Sequence, residues 1–311
     1  MRPLAGQVGI VTGAGKGLGR AFALDLAAAG AAVVVNNRNP AAGAADRVVD
    51  EIVRAGGTAV AEYSEVDDPA AGPALLDRAL RSYGRVDFLV ANAAVAAPEM
   101  FHKTTPERFD AVIRTNLGGT AHVAQACSAH LRQADGGRIV LVASTAGLYG
   151  EPTASAYSAS KGAVIALGRA IAVEGERRGV HTNVLLPYAT TPMTEPGMAE
   201  QYRDAMDAAL VAPVVTALVD PSCPLNGQLL VVAGGRLRVA SAVEWGTVEL
   251  PTGQLAPRTL ADLVARSRQA PAREFPDAPH AFFDFVAGLE SDVVAGPEVE
   301  PAQPPAAGPS R

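Results

Sequence analysis

The sequence predicts an α/β protein with a doubly wound parallel sheet of the Rossmann type, and three observations support this prediction. Short apolar runs alternate with longer segments whose apolar residues recur at helical spacing. A glycine-rich turn joins the first apolar run to the first helical segment. Polar residues follow several of the runs, at the points where strands would end. Alternating strands and helices form a parallel sheet covered on both faces, and such sheets bind ligands at the carboxyl ends of their strands.

The apolar periodicity places strands and helices in turn along the chain. The predicted strands cover residues 8–11, 32–35, 58–63, 86–91, 138–143 and 182–186. The predicted helices cover residues 21–29, 45–55, 74–83, 109–131 and 156–178. We expect one Rossmann-type domain over residues 1–240 and a C-terminal extension over residues 241–290 that packs on it and contains a helix at 260–268. A proline- and alanine-rich tail over residues 291–311 is predicted to be disordered.

Composition and charge argue against several classes of protein. The 311 residues carry a formal net charge of -6, which argues against a nucleic-acid-binding surface or a basic membrane face. Neither a run of about 18 apolar residues nor a secretory leader is found, so we expect a cytoplasmic protein that does not enter a membrane. The two cysteines, Cys127 and Cys223, lie far apart without metal-ligand spacing. Neither a disulfide nor a metal site is therefore expected.

The first predicted strand leads into a glycine-rich turn that is typical of a dinucleotide-binding site. Backbone N–H groups and the dipole of the following helix would face a pyrophosphate there. The spacing is T-G-x-x-x-G-x-G rather than G-x-G-x-x-G, because a leucine stands where the latter needs its last glycine. The candidate cofactor-binding residues of this turn are Thr12, Gly13, Gly15, Lys16, Gly17, Leu18 and Gly19.

The end of the second predicted strand distinguishes NAD(H) from NADP(H) in such folds. An acidic residue there binds the adenosine ribose hydroxyls, whereas an arginine accommodates a 2′-phosphate. Here the strand ends in Asn36, Asn37 and Arg38, without an acid. Arg38 and Lys16 supply two cations near the phosphate position, so the sequence favours NADP(H), with NAD(H) as the alternative.

The stretch from Ser144 to Lys161 contains a candidate proton-transfer site. Tyr157 and Lys161 are four residues apart at the start of a predicted helix, and they therefore share one face. An ammonium beside a phenol favours the phenolate, so we expect Lys161 to lower the pKa of Tyr157 from its usual value of about 10. Ser144 follows the fifth predicted strand, from which its hydroxyl could hold a substrate oxygen beside the phenol.

Taken together, these motifs resemble the short-chain dehydrogenase/reductase family over about residues 6–235. The residues that carry the resemblance are Thr12-Gly13-x-x-x-Gly17-x-Gly19, Asn92-Ala93, Asn116, Ser144 and Tyr157-x-x-x-Lys161. The resemblance implies that Tyr157 is the general acid for carbonyl reduction and the base for alcohol oxidation. It implies further that Lys161 holds the nicotinamide ribose, that Ser144 polarises the carbonyl, and that Asn116 supports a water that relays protons to Lys161.

The same resemblance implies further contacts with the cofactor. These residues are Asn37, Glu65, Val66, Asn92, Ala93, Ala94, Pro187 and Thr190, together with Tyr157 and Lys161. The chain departs from the family pattern where Glu65 replaces an aspartate, Ala94 replaces a glycine, and Tyr188 replaces the glycine after the proline. Thr191 and Thr194 are alternatives to Thr190 for binding the nicotinamide carboxamide.

A second resemblance extends beyond the dinucleotide-binding part. Residues 186–194, 211–215, 222–227 and 234–236 are similar to the (3R)-hydroxyacyl-CoA dehydrogenase domain of type 2 multifunctional β-oxidation enzymes, and so is the extension around Trp245. Those enzymes have an aspartate at the position of Asn37. Because this chain has an asparagine at that position, it lacks the acid on which the NAD preference of those enzymes depends.

These resemblances imply an NAD(P)-dependent oxidoreductase that interconverts a secondary alcohol and a ketone. We expect a 3-oxoacyl- or 3-hydroxyacyl-CoA or another bulky ketone as substrate, beneath a lid at about residues 186–210. An NADPH ketoreductase of specialised metabolism is the alternative within the same chemistry. A dinucleotide-binding regulatory or scaffold protein without turnover is the alternative from another class. By resemblance we also expect a homodimer or homotetramer.

Overall fold

A computed structural model of the protein describes residues 2–134, 136–195 and 199–290. The chain divides into two compact units, Met1–Ser241 and Ala242–Arg311. The predicted tail over residues 291–311 and residues 196–198 of the predicted lid lie outside the described residues.

The first unit contains an eight-stranded sheet, which confirms the predicted fold class. Its strands are β1 (Val8–Val11), β2 (Ala32–Asn36), β3 (Thr58–Glu62), β4 (Phe88–Ala91), β5 (Gly137–Val142), β6 (Val180–Pro187), β7 (Leu229–Ala233) and β8 (Arg236–Ala240). The order across the sheet is β3-β2-β1-β4-β5-β6-β7-β8, with β8 alone antiparallel to its neighbour. The winding reverses between β1 and β4, which opens a crevice at the carboxyl ends of these two strands.

Helices of the first unit cover both faces of this sheet. They are α1 (Gly17–Ala28), α2 (Ala44–Arg54), α3 (Ala71–Tyr83), α4 (Pro106–Ile113), α5 (Gly119–Gln133), α6 (Ala146–Tyr149), α7 (Ser155–Gly175) and α8 (Ala212–Val219). Phe22 of α1 and Val215 of α8 lie in the apolar cluster on one face. Leu75 of α3, Leu131 of α5 and Val164 of α7 lie in the cluster on the other face. Burial on both faces explains why the strands read as continuous apolar runs.

The structure also shows where the predicted elements were wrong or incomplete. The predicted helix over residues 109–131 is interrupted by a π-helical turn, Arg114–Gly118, between α4 and α5. Strands β7 and β8 and helix α8 were not predicted. The described part of the predicted lid contains two short 3-10 turns, Glu200–Tyr202 and Ala208–Leu210.

The second unit has its own small set of elements. Strands β9 (Val243–Glu244) and β10 (Arg273–Glu274) pair antiparallel. Helix α9 (Pro257–Ser267) corresponds to the helix predicted at 260–268, and α10 (Ala278–Glu290) was not predicted. No helix within the described ranges is long and apolar enough to cross a membrane.

Close contact between α3 and α5 makes Gly72 a test of the packing. A Cβ at Gly72 would lie 2.3 Å from the main-chain oxygen of His122, and a backbone atom has no other rotamer to adopt. We expect Gly72→Ala to lower the free energy of unfolding by about 1–3 kcal/mol, measured by urea denaturation. The better helix propensity of alanine offsets only about 1 kcal/mol.

The matched control for this prediction is Gly136→Ala. A Cβ at Gly136 would meet no described atom within 4 Å, and its φ is outside the left-handed region. Its stability should stay within about 0.5 kcal/mol of the unmodified protein. Equal stabilities for the two variants would contradict the close α3–α5 contact.

Candidate active site

The glycine-rich turn forms a backbone cradle at the start of α1. Gly13 has a φ of +63°, which only glycine adopts readily. A Cβ at Gly19 would lie 2.3 Å from the Gly13 oxygen, and one at Gly15 would lie 2.8 Å from Cγ of Asn37. Helix α1 has no side-chain cap at Lys16, so its first N–H groups are free to bind an anion. The turn therefore fits the pyrophosphate of a dinucleotide.

Thr12 ties this turn to the loop after β4. Its buried Oγ1 accepts hydrogen bonds from the N–H groups of Asn92 (3.0 Å) and Ala93 (3.1 Å). In return, Nδ2 of Asn92 donates to the main-chain oxygens of Thr12 (3.0 Å) and Gly13 (3.3 Å). The carboxyl ends of β1 and β4 are thus held together across the crevice.

The residues predicted to select the cofactor lie at the end of β2. The buried Asn36 donates from Nδ2 to the Glu62 carboxylate (2.7 Å) and to the Ser64 oxygen (3.0 Å). Asn37 lies beside Gly15, as its distance from a Cβ there shows. Lys16 and Arg38 are exposed, and neither forms an ion pair with any residue in the part of the chain that the structure describes. Both cations are therefore free to meet a phosphate.

Asn116 lies on the π-helical turn with its side chain completely buried. Its Oδ1 accepts from the Val95 N–H (2.8 Å), and its Nδ2 donates to the Val95 oxygen and to Ser160 Oγ, both at 3.0 Å. Both amide hydrogens are therefore used within the protein. The Asn116 main-chain oxygen accepts from Thr120 Oγ1 at 2.7 Å.

Tyr157, Lys161 and Ser144 come together between α7 and the end of β5. Ser144 lies near enough to the Tyr157 phenol to lower the pKa of that phenol, and its Oγ accepts from the Ala146 N–H at 3.1 Å. Lys161 Nζ lies 5.7 Å from the centroid of the Tyr157 ring. The same ammonium is buried and donates to the Val142 oxygen at 2.7 Å. A phenol, a hydroxyl and a cation in this arrangement can transfer a proton to or from a substrate oxygen.

The pKa of the phenol moves in the direction opposite to the predicted one. Burial raises the pKa of Tyr157, the hydrogen bond with Ser144 lowers it, and the charge of Glu151 raises it further. Burial also lowers the pKa of Lys161 to about 8. The sequence showed that the two residues share a helix face, but it did not show how deeply they are buried.

The remaining predicted cofactor residues line the same edge of the sheet. Val66 is buried after β3, while Glu65 beside it is exposed. Ala94 follows Ala93 in the loop after β4, and Pro187 ends β6. These positions follow strand ends, as predicted, and their contacts with a cofactor stay predictions.

The three threonines after β6 have different surroundings. Thr190 donates its hydroxyl to the Arg203 oxygen (2.9 Å), and Thr194 donates to the Ala189 oxygen (2.6 Å). A Cβ at Gly17 would lie 3.3 Å from the Thr191 side chain, which places Thr191 against the glycine turn. This proximity favours Thr191 over Thr190 as the threonine that contacts a cofactor.

Sequence reasoning gave no role to Ser160. Its only signal was a serine next to Lys161 in a helix of small residues.

The chain is similar to known proteins both in sequence and in structure. The short chain dehydrogenase family model matches residues 7–203. The peroxisomal multifunctional enzyme type 2 of Mus musculus is 38% identical over 237 residues, covering 74% of this chain and 32% of that protein. The chain thus spans about a third of that relative's length. A protein of Mycobacterium tuberculosis named as a short-chain type dehydrogenase/reductase is 38% identical over 239 residues, covering 75% of this chain and 84% of that protein.

A third relative and two solved structures add to this set. Versicolorin reductase of Emericella nidulans is 40% identical over 187 residues, covering 60% of this chain and 70% of that protein. A short chain dehydrogenase from Mycobacterium avium has a TM-score of 0.77 and 36% identity, covering 88% of this chain and 98% of that one. A gluconate 5-dehydrogenase from Burkholderia cenocepacia in complex with NADP and tartrate has a TM-score of 0.69 and 29% identity, covering 75% and 96%.

The buried charge of Lys161 predicts a gain of stability when it is removed. Below pH 8 the folded protein holds an ammonium in its interior, and a pKa of about 8 in place of 10.5 corresponds to a penalty of about 3 kcal/mol. We expect Lys161→Met to raise the free energy of unfolding at pH 7 by about 1–3 kcal/mol in urea titrations.

The pH dependence of this gain has a definite sign. Between pH 8 and 10.5 the unfolded protein binds the Lys161 proton and the folded protein does not, so the unmodified protein becomes more stable as pH rises. The advantage of the variant should therefore shrink over that range. Lys103→Met, at an exposed lysine, should show neither effect. A constant advantage from pH 7 to 10 would contradict the burial of a charged Lys161.

Proposed function

Because the chain belongs to the short-chain dehydrogenase/reductase family of oxidoreductases, we propose that it interconverts a secondary alcohol and a ketone with Tyr157 as the acid and base. The observation that carries this proposal is the phenol of Tyr157 with the buried Lys161 Nζ 5.7 Å from its ring centroid and Ser144 beside it. A protein that only binds a dinucleotide has no use for this costly burial of a cation beside a phenol.

The proposed mechanism assigns one task to each side chain. A bound nicotinamide supplies or accepts the hydride, and the protein handles the proton. Tyr157 protonates the oxygen of the reduced carbonyl, and Ser144 donates a hydrogen bond to the same oxygen. Lys161 stabilises the phenolate that remains. Because burial raises the pKa of Tyr157, the phenol is protonated at neutral pH, which suits the acid of carbonyl reduction.

Asn116 contributes mainly by holding its surroundings in place. Both hydrogens of its side-chain amide are already donated, to Val95 and Ser160. A relay water would therefore have to donate to a free lone pair on Oδ1 or on the main-chain oxygen. We propose that a water bound by one of these acceptors relays protons to Lys161.

For the cofactor we propose NADP(H). Lys16 and Arg38 are exposed cations at the turn and at the end of β2, and Asn37 supplies no charge that would repel a 2′-phosphate. The related gluconate 5-dehydrogenase is in complex with NADP. NAD(H) is the alternative.

For the substrate we propose a bulky ketone, and two kinds of relative indicate its class. The likeness to the peroxisomal multifunctional enzyme favours a 3-oxoacyl-CoA. The likeness to versicolorin reductase, together with the cations Lys16 and Arg38, favours the alternative, an NADPH ketoreductase of specialised metabolism. We further propose a homodimer or homotetramer in the cytoplasm.

The cofactor proposal predicts a selective effect of Arg38→Ala. Loss of a charge-assisted contact with the 2′-phosphate should weaken NADPH about tenfold to a hundredfold and leave NADH nearly unchanged, measured by fluorescence titration. Arg54→Ala, an exposed arginine at the far end of α2, is the matched control. Equal weakening of the two dinucleotides would argue against a phosphate contact.

The reaction and substrate proposals are tested together by initial rates. The panel contains acetoacetyl-CoA, a longer 3-oxoacyl-CoA, a steroid ketone and an aromatic polyketide-like ketone, each with NADPH and NADH. We expect turnover of at least one ketone, and we expect Tyr157→Phe to abolish it while dinucleotide affinity changes by only a few fold. Activity retained by Tyr157→Phe would refute the assignment of the acid. Dinucleotide binding without any turnover would favour the regulatory alternative.

A further inference from the structure

Ser160 occupies a special position on helix α7, between the candidate acid and the candidate cation. Its side chain is completely buried. Its Oγ donates to the main-chain oxygen of Tyr157 at 2.7 Å and accepts from Asn116 Nδ2 at 3.0 Å. The hydroxyl thus joins the turn that carries Tyr157 to a side chain on a different helical segment.

The hydrogen bond from Ser160 to Tyr157 is the last in a series that starts at the glycine turn. Thr12 holds the N–H groups at the start of the loop after β4. Two residues further on, Val95 exchanges two hydrogen bonds with the Asn116 amide. Nδ2 of Asn116 then donates to Ser160 Oγ, and Ser160 Oγ donates to the main-chain oxygen of Tyr157. The side chains of Thr12, Asn116 and Ser160 in this series are more than nine-tenths buried, and the bond between Asn116 and Ser160 is itself buried, which limits competition from water.

We propose that Ser160 is a positioning residue that fastens the Tyr157 turn of α7 to the dinucleotide cradle. The proposal rests on the proposed function, because it assumes that Tyr157 transfers the proton. Ser160 itself touches neither the phenol nor the ammonium in the described contacts. Ser160 immediately precedes Lys161 and donates to the main-chain carbonyl of Tyr157. It therefore sets where the phenol lies relative to Lys161 Nζ and Ser144.

Removing the hydroxyl has two physical consequences. One buried amide hydrogen of Asn116 loses its acceptor, and the Tyr157 carbonyl loses a donor that comes from outside the main-chain ladder of the helix. The Tyr157 turn can then shift, and displacements of about 1 Å at a reacting group lower rates by about a hundredfold. A shift away from Lys161 also weakens the stabilisation of the phenolate.

The test compares Ser160→Ala with the unmodified enzyme on the best substrate of the panel. We expect kcat to fall about tenfold to a hundredfold while the KM for the dinucleotide stays within a few fold. In alcohol oxidation, the rise of rate with pH should move to higher pH, because the phenolate is less stabilised. A general loss of stability would lower the amount of folded enzyme without moving the pH profile.

Three further variants make the result specific to the hydroxyl. Ser160→Thr keeps the donor and the acceptor and should recover most of the activity. Ser160→Cys keeps the volume with a weaker donor and should fall between Ser160→Ala and the unmodified enzyme, so it serves if the added methyl of threonine prevents folding. Ser155→Ala, on the first turn of the same helix, should leave kcat and the pH profile unchanged.

A coupling measurement tests the path through Asn116. If the two side chains act through one hydrogen bond, the double variant Asn116→Ala, Ser160→Ala should lose little more activity than the more damaging single variant. Fully multiplicative losses would overturn the shared path. An unchanged kcat and pH profile in Ser160→Ala would overturn the positioning role, even if Tyr157→Phe is inactive and the proposed function stands.

A final readout does not depend on turnover. Hydrogen–deuterium exchange of the peptide covering residues 155–162 should be faster in Ser160→Ala than in Ser155→Ala, because the Tyr157 turn is no longer fastened. Equal exchange in the two variants would overturn the proposal. This holds even if no ketone of the panel is reduced and the proposed function fails.

Discussion

The buried ammonium of Lys161 is the constraint around which the site is built. A charge in the interior needs a hydrogen-bond acceptor, and the Val142 oxygen at the end of β5 supplies it. Helix α7 must therefore lie close to the strand end, and this also brings α6 near. A Cβ at Gly147 would lie 2.6 Å from the N atom of Gly162, so only glycine permits that approach. The position of Ser144 beside Tyr157 follows from the same packing.

The carboxyl ends of neighbouring strands supply the rest of the site. Backbone groups that leave a parallel sheet lose their ladder partners and must be satisfied in another way. Thr12, Asn92 and Asn116 provide such partners for the loops that follow β1 and β4. The same bonds that satisfy the loops also fix the distance between the glycine turn and the Tyr157 helix. Structural and chemical requirements therefore coincide at this edge of the sheet.

The sequence predicted the fold and the strand-end residues because both depend on local patterns. Apolar runs and the glycine turn are visible within short windows, and strand ends of a parallel sheet converge by topology alone. The π-helical turn at Asn116 was not predicted, because the small residues Gly118, Gly119 and Thr120 leave too few apolar positions to report the shift in helical phase that an extra residue produces. The raised pKa of Tyr157 and the contacts of Ser160 depend on burial by distant segments, which no local pattern reports.

Burial also distinguishes the residues proposed to transfer the proton, and those that hold them in place, from the residues proposed to select the cofactor. The side chains of Thr12, Asn116 and Ser160 are buried, and removal of any one of these polar groups leaves its partner without a hydrogen bond. Lys16 and Arg38 are exposed and have no described ion-pair partner, so their replacement disturbs nothing else in the described fold. The residues proposed to set the reaction class therefore have little freedom to change. The proposed preference for NADP(H) rests on exposed residues that can change at small cost to the fold.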